Sequence, residues 1–165
     1  MANIQQIGTT GADGGTKTNV GSTGAPGQSV DATIPTNTDT SNVATAYGGG
    51  GGNGENFGPI LFTGAGGSGG DAYASATTTT PAADGNSAYA TAQVGPGGSG
   101  GQPNTGNGWG AGGAPGTAEA VATDSNTLGL ATATATSNRV TSGAGYSGQD
   151  GGVSQAEATA DGLSA

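Results

Sequence analysis

Apolar and polar positions alternate strictly in several short stretches of this chain, and glycine fills most of the sequence between them. The clearest stretches are AYASATTTT (72–80), NSAYATA (86–92), AEAVAT (118–123), LATATAT (130–136) and AEATA (156–160). SVDATI (29–34) and NVATAY (42–47) carry a weaker form of the same pattern. A period of two is that of a strand, and it puts the Ala residues on one face. The alternate positions hold Thr, Tyr, Val and Ser, which favour strands. Ala alone prefers helix, but a helix would scatter these Ala over all its faces. Turn chemistry separates the pairs: PTNTDTS (35–41), PAADG (81–85) and DSNTLG (124–129). Each pair is read as a short β-hairpin or as two rungs of a β-solenoid, with one face paved by Ala methyls.

The pattern repeats. TGAGGSGGDAYASAT (63–77) aligns without a gap on WGAGGAPGTAEAVAT (109–123), 46 residues later. GSTGAPG (21–27) echoes GAGGAPG (110–116), and 151–160 again runs from glycines into alternating Ala. The chain divides into units 2–47, 48–94, 95–140 and a partial 141–165 within one repetitive domain. Each unit joins a Gly-rich block (8–27, 48–70, 95–116, 143–152) to a pair of alternating segments. A run such as GGGGGNG (48–54) suits an extended helix of the polyglycine II kind, which has no internal hydrogen bonds and can bundle because no side chain intervenes. Its N–H and C=O groups then need partners on neighbouring segments. The predicted class is all-β: repetitive Ala-alternating strands joined by polyglycine-II-like segments, with a repeat of about 46 residues.

Composition sharpens this picture. Of 165 residues, 38 are Gly, 28 Ala and 25 Thr, whereas Leu, Ile, Val and Phe together number only 17. So few large apolar side chains cannot offset the ordering of so much backbone. An ordered chain of this kind must draw on backbone ladders, which the sequence reading places largely between neighbouring copies. The chain has no His and no Cys, which excludes disulfides, the common zinc and haem sites and His-based acid–base chemistry. Ser residues therefore have no His to activate them, and the reading is non-enzymatic. Lys17 and Arg139 are the only cations against a net charge of −9, so nucleic acid is not an expected partner. No run of 18 apolar residues occurs, so no membrane span is expected, and MANIQQIGTTG lacks the features of a Sec signal peptide.

Larger side chains mark candidate contacts. Phe57, Ile60, Leu61 and Phe62 form the one strongly hydrophobic cluster, read either as a local plug or as an anchor into a neighbouring subunit. Trp109 and Tyr146 lie near borders between Gly and Ala blocks and join that cluster as expected assembly contacts. GGSGGDAYA (66–74) fits the calcium-binding nonapeptide, with Asp71 as the ligand and Tyr73 as the large buried residue. Tandem copies are lacking: GGSGGQPNT (97–105) has Gln102 in place of Asp. No cofactor is expected, and calcium at Asp71 is the weak exception. Lys17 in GGTKTN does not complete a Walker loop, which requires glycine before the lysine. Thr132, Thr134 and Thr136 would project from one strand face about 6.6–7 Å apart, like the Thr rows of ice-binding solenoids. The scattered acids are read as solubility charges for an edge-rich chain.

These Gly/Ala/Thr blocks resemble the glycine-rich repeat proteins of surfaces and fibres, in composition and block order rather than in a diagnostic motif. Silk-like proteins, mycobacterial polymorphic glycine-rich surface proteins and phage tail-tip adhesins with polyglycine II sandwiches share this texture. The resemblance implies a structural subunit that self-assembles into an extracellular filament or a surface or matrix layer. Its principal partner is another copy of itself, with a surface receptor or glycan as a further partner. A polyglycine II adhesin and an ice-binding protein are the alternatives.

Overall fold

Strands form where the alternation lies, and their pairing decides between hairpin and solenoid. The computed structural model describes residues 1–14, 22–55, 63–102, 110–138 and 154–162. They contain eight strands and no helix: β1 (Ala2–Ile7), β2 (Val30–Thr33), β3 (Ser41–Tyr47), β4 (Ala72–Thr78), β5 (Asn86–Gln93), β6 (Ala118–Asn126), β7 (Ala131–Asn138) and β8 (Ser154–Gly162). Every pairing is parallel. Odd strands form one sheet, ordered β1-β3-β5-β7, and even strands form the other, ordered β2-β4-β6-β8. Consecutive strands therefore sit in opposite sheets, and the chain winds as a solenoid. Among the described residues no hairpin forms, because each strand pairs with the equivalent strand one coil away and not with its sequence neighbour.

The register is that of the repeat. Ser41 pairs with Ser87 and Ala72 with Ala118, each a step of 46 residues. Sequence alignment of the glycine blocks gives the same offset. The first coil is shorter, with steps of 40 and 42 residues at its two corners. β1 is the one strand that the Ala pattern does not reveal. Its sequence ANIQQI joins the sheet through Ile4 opposite Ala44 and Gln5 opposite Thr45.

The sheets face each other across Ala. Among the described residues, twelve of the fourteen buried apolar residues are Ala, and the other two are Ile34 and Val94. Little more than a methyl projects from either side over most of the interface, so the sheets approach closely and leave no slack for a longer side chain.

The glycine blocks leave and re-enter the sheets as paired arms. Segments 8–14, 48–54 and 95–101 run outward, and 22–28, 64–70 and 110–116 return. Hydrogen bonds recur at every third residue. Gly8, Gly11 and Gly14 donate to Tyr47, Gly50 and Asn53, and Gly48, Gly51 and Gly54 to Gln93, Pro96 and Ser99. Return arms connect likewise, with Gly24 and Gly27 donating to Ala65 and Ser68, and Gly66 and Gly69 to Ala111 and Ala114. Outward and return arms also bond each other: Gly67 donates to Gly52, and Gly98 to Gly67, each at 2.8 Å. Period three with no bonds inside a segment is the pattern of polyglycine II. The composition predicts these partners largely on other copies; the described arms find them within their own coil and on the neighbouring coils of the same chain.

Close approach explains the glycine content at particular positions. A Cβ on Gly67 would overlap the carbonyl oxygen of Ala25, whereas one on Gly50 would meet nothing nearer than Pro96 Cγ at 3.5 Å. Gly67→Ala is expected to cost about 2 kcal/mol or more and Gly50→Ala less than about 0.5 kcal/mol, measured by thermal unfolding followed by circular dichroism. In the Ala interface, Ala90→Leu is expected to cost about 1–3 kcal/mol in the same measurement, although leucine is the more hydrophobic residue.

Candidate functional surfaces

Parallel stacking turns the alternation within each strand into columns across strands. On the outer face of the odd-strand sheet these columns are Asn3–Val43–Tyr89–Thr134, Gln5–Thr45–Thr91–Thr136 and Ile7–Tyr47–Gln93–Asn138. Ser41, Ser87 and Thr132 form a further column, in which Ser87 Oγ donates to Ser41 Oγ at 3.0 Å. No charged residue occurs in these columns. The sequence shows one clean Thr row along a strand; the rows across strands arise from coil-to-coil steps of 40, 46 and 45 residues in this sheet.

The opposite face is acidic. Columns Asp31–Tyr73–Glu119–Gln155 and Thr33–Ser75–Val121–Glu157 cross the even-strand sheet, followed by Thr77–Thr123–Thr159 and by Ser125–Asp161. Among the described strand residues, four carboxylates therefore lie on this outer face and none on the other.

Two corners of each coil are tied by side chains. Asp13 Oδ1 accepts the Asn53 N–H at 2.7 Å, and Asn53 Oδ1 in turn accepts the Ser99 N–H at 2.9 Å. At the other corner, Ser29 Oγ accepts the Asp71 N–H at 3.0 Å. Asp71 Oδ1 then accepts both the N–H and the hydroxyl of Thr117, at 2.7 and 2.9 Å. The candidate calcium ligand is thus a coil-to-coil tie. Val30, Tyr73, Glu119 and Gln155 surround it in a shallow depression of about 210 Å³. Among the described residues no three acidic, His or Cys side chains come together as a metal-binding group. The candidate assembly contacts Phe57, Ile60, Leu61, Phe62, Trp109 and Tyr146 lie outside the described residues, as do Lys17 and Arg139.

A buried polar layer, which the Ala alternation does not predict, closes the turn end of the solenoid. Asn42, Thr78, Asn86, Asp124 and Asn126 are all buried. Asn42 Nδ2 donates to the Thr77 carbonyl at 2.7 Å, and the Thr78 hydroxyl donates to the Ser87 carbonyl at 2.7 Å. Asn86 Nδ2 donates to the carbonyls of Thr80 and Ser125, and Asn126 Nδ2 to those of Ala82 and Leu130. These amides hold the turn backbone that no strand can pair. Asp124, read from sequence as a turn residue, instead lies within β6, opposite Thr78. Its Oδ2 accepts the Thr132 N–H at 2.7 Å, while Oδ1 has no partner. The alternation of β6 carries the only sequence signal: Asp124 continues the inward series Ala118, Ala120, Ala122.

Desolvation of Asp124 raises its carboxyl above the ordinary value of 3.8, against the smaller opposing effect of the Thr132 N–H. At pH values between 3.8 and the raised folded value, the folded state therefore holds a proton that the unfolded chain has released.

No protein-family model and no curated protein matches the chain. Among solved structures, the springtail antifreeze protein of Granisotoma rainieri aligns over 98% of this chain and 100% of its own, at 18% identity and a TM-score of 0.20. That protein is a bundle of nine polyproline type II helices whose crystal waters match the ice lattice. A superposition this poor carries no argument about fold or function. No helix among the described residues is long and apolar enough to cross a membrane.

The Asp124 carboxyl gives stability a definite pH slope. Because its folded pKa is raised, stability is expected to fall as pH climbs from 3.8 through the folded value. Asp124→Asn keeps an acceptor for Thr132 and cannot ionise. Melting temperatures measured from about pH 3 to pH 8 are expected to decline less steeply in this variant than in the parent.

Proposed function

We propose that this chain is a non-enzymatic structural subunit that assembles end to end into a filament or surface layer outside the cell. The observation that carries the reading is the state of the two end coils. Among the described residues, β1 and β2 at one end and β7 and β8 at the other have one edge without a partner strand. Unpaired edges of this kind template the addition of further strands. The inward Ala158 and Ala160 of β8 are exposed, whereas Ala122 of β6, opposite Ala158, is fully buried. Among the described residues, the exposed large apolar side chains other than Tyr89 are Met1 and Ile7 in the first coil and Leu128 and Leu130 between β6 and β7.

The uncharged face supports a second reading, an ice-binding surface. Thr45–Thr91–Thr136 stand at the strand spacing of about 4.8 Å, beside the Ser41–Ser87–Thr132 column. Such a row offers hydroxyls and methyls in a regular two-dimensional array.

The purified chain is expected to sediment as a concentration-dependent series of polymers and to appear as uniform filaments by negative-stain electron microscopy. A monomer at all concentrations would defeat the structural reading. If that monomer also shaped growing ice crystals, and Thr91→Lys abolished the effect, the second reading would take its place.

A further inference from the structure

The end coils define not only that copies meet but in which register. We infer that the β1/β2 end of one copy seats on the β7/β8 end of the preceding copy as the next coil of a continuous solenoid, with Gln5 opposite Thr136 and Asp31 opposite Gln155. This inference rests on the assembly reading above and adds the geometry of the junction.

Phase is the first argument. The described strands number eight and alternate between sheets, beginning in the odd sheet and ending in the even one. The next strand of the winding would belong beside β7. β1 of an incoming copy is an odd-sheet strand and fits that place, and its β2 then falls beside β8. Polarity agrees, because every existing pairing is parallel.

Face matching is the second. Extending the observed columns places Ile4 of the incoming copy opposite Ala135, in the inward series Ile4–Ala44–Ala90–Ala135. Ile34 of the incoming copy, just beyond its β2, falls opposite Ala158, whose side chain is otherwise exposed. A slip of one residue would turn Ile4 outward and Gln5 inward.

Charge is the third. In the unshifted register Asp31 meets Gln155, and Thr33 meets Glu157. A slip of two residues toward the C-terminal end of β8 keeps the faces but sets Asp31 directly against Glu157, a like-charge pair that disfavours the pairing.

Cysteine pairs test this cleanly, because the chain has no Cys of its own. Gln5 and Thr136 are exposed on the outer face at opposite edges of one sheet. Within one copy they are separated by three strand spacings, about 14 Å, so a disulfide between them can form only across a junction. The doubly substituted chain Gln5→Cys/Thr136→Cys is oxidised under conditions where the parent sediments as polymer. A ladder of covalent multimers is expected on non-reducing gels. Gln5→Cys/Thr134→Cys, one pleat out of register, is expected to give at least about tenfold less, since the diagonal separation exceeds disulfide reach. Polymers that sediment normally with no ladder from the 5/136 pair, or with equal ladders from both pairs, would overturn the register while leaving assembly intact. A parent chain that stays monomeric would overturn assembly itself.

Discussion

In-register stacking of each coil on the next is the constraint on which the rest of this structure depends. Main-chain hydrogen bonds between coils hold both the sheets and the glycine arms, and both need side chains small enough for the backbones to meet. The two regions count residues differently. Strands repeat their side-chain direction every two residues, and the arms repeat their hydrogen bonds every three. A slip between two described coils that satisfies one period generally violates the other, and six residues is the smallest step common to both. Corner ties from Asp13, Asn53, Ser29 and Asp71 fix the same alignment where strand passes into arm. Chain economy follows, because one backbone pattern supplies order that side-chain burial cannot.

Stacking also makes surface. Each outward residue stands beside its equivalents, so a composition with few charges becomes one face without charge and one with four carboxylates. The acidic face discourages lateral association of like faces, while the described end strands each keep an unpaired edge along the winding direction. That division agrees with the proposed role of a structural subunit, which would have to extend in one direction without clumping in others.

Cost concentrates where the stack must turn. Between even and odd strands the backbone leaves the ladder, and buried Asn42, Asn86 and Asn126 supply the missing donors. Asp124 stands at the Thr78 position of the next coil and takes the Thr132 N–H, leaving Oδ1 and the Asn86 oxygen without partners. A neutral carboxyl is better suited than a charged one to so dry a place. The described acids therefore include surface charges, corner ties, an ion pair of Asp39 with the N-terminal amine and one buried plug.

Much of the fold was legible in the letters. Period-two Ala marked six of the eight strands clearly or in weaker form, and the start of a seventh pattern at 156–160 marked β8; the 46-residue alignment of glycine blocks announced the coil. These signals are local or repetitive, and physics reads them directly, because a strand's two faces and a glycine's missing Cβ do not depend on distant partners. β1 escaped because Ile and Gln, rather than Ala, fill its alternate positions. Only the tertiary structure decided that adjacent alternating segments join different sheets instead of each other, that the glycine arms find partners inside one chain, that Asp71 is a tie and Asp124 a buried plug. Each of those outcomes turns on which backbone edge lies next to which, and a 46-residue step brings together groups that no local pattern connects.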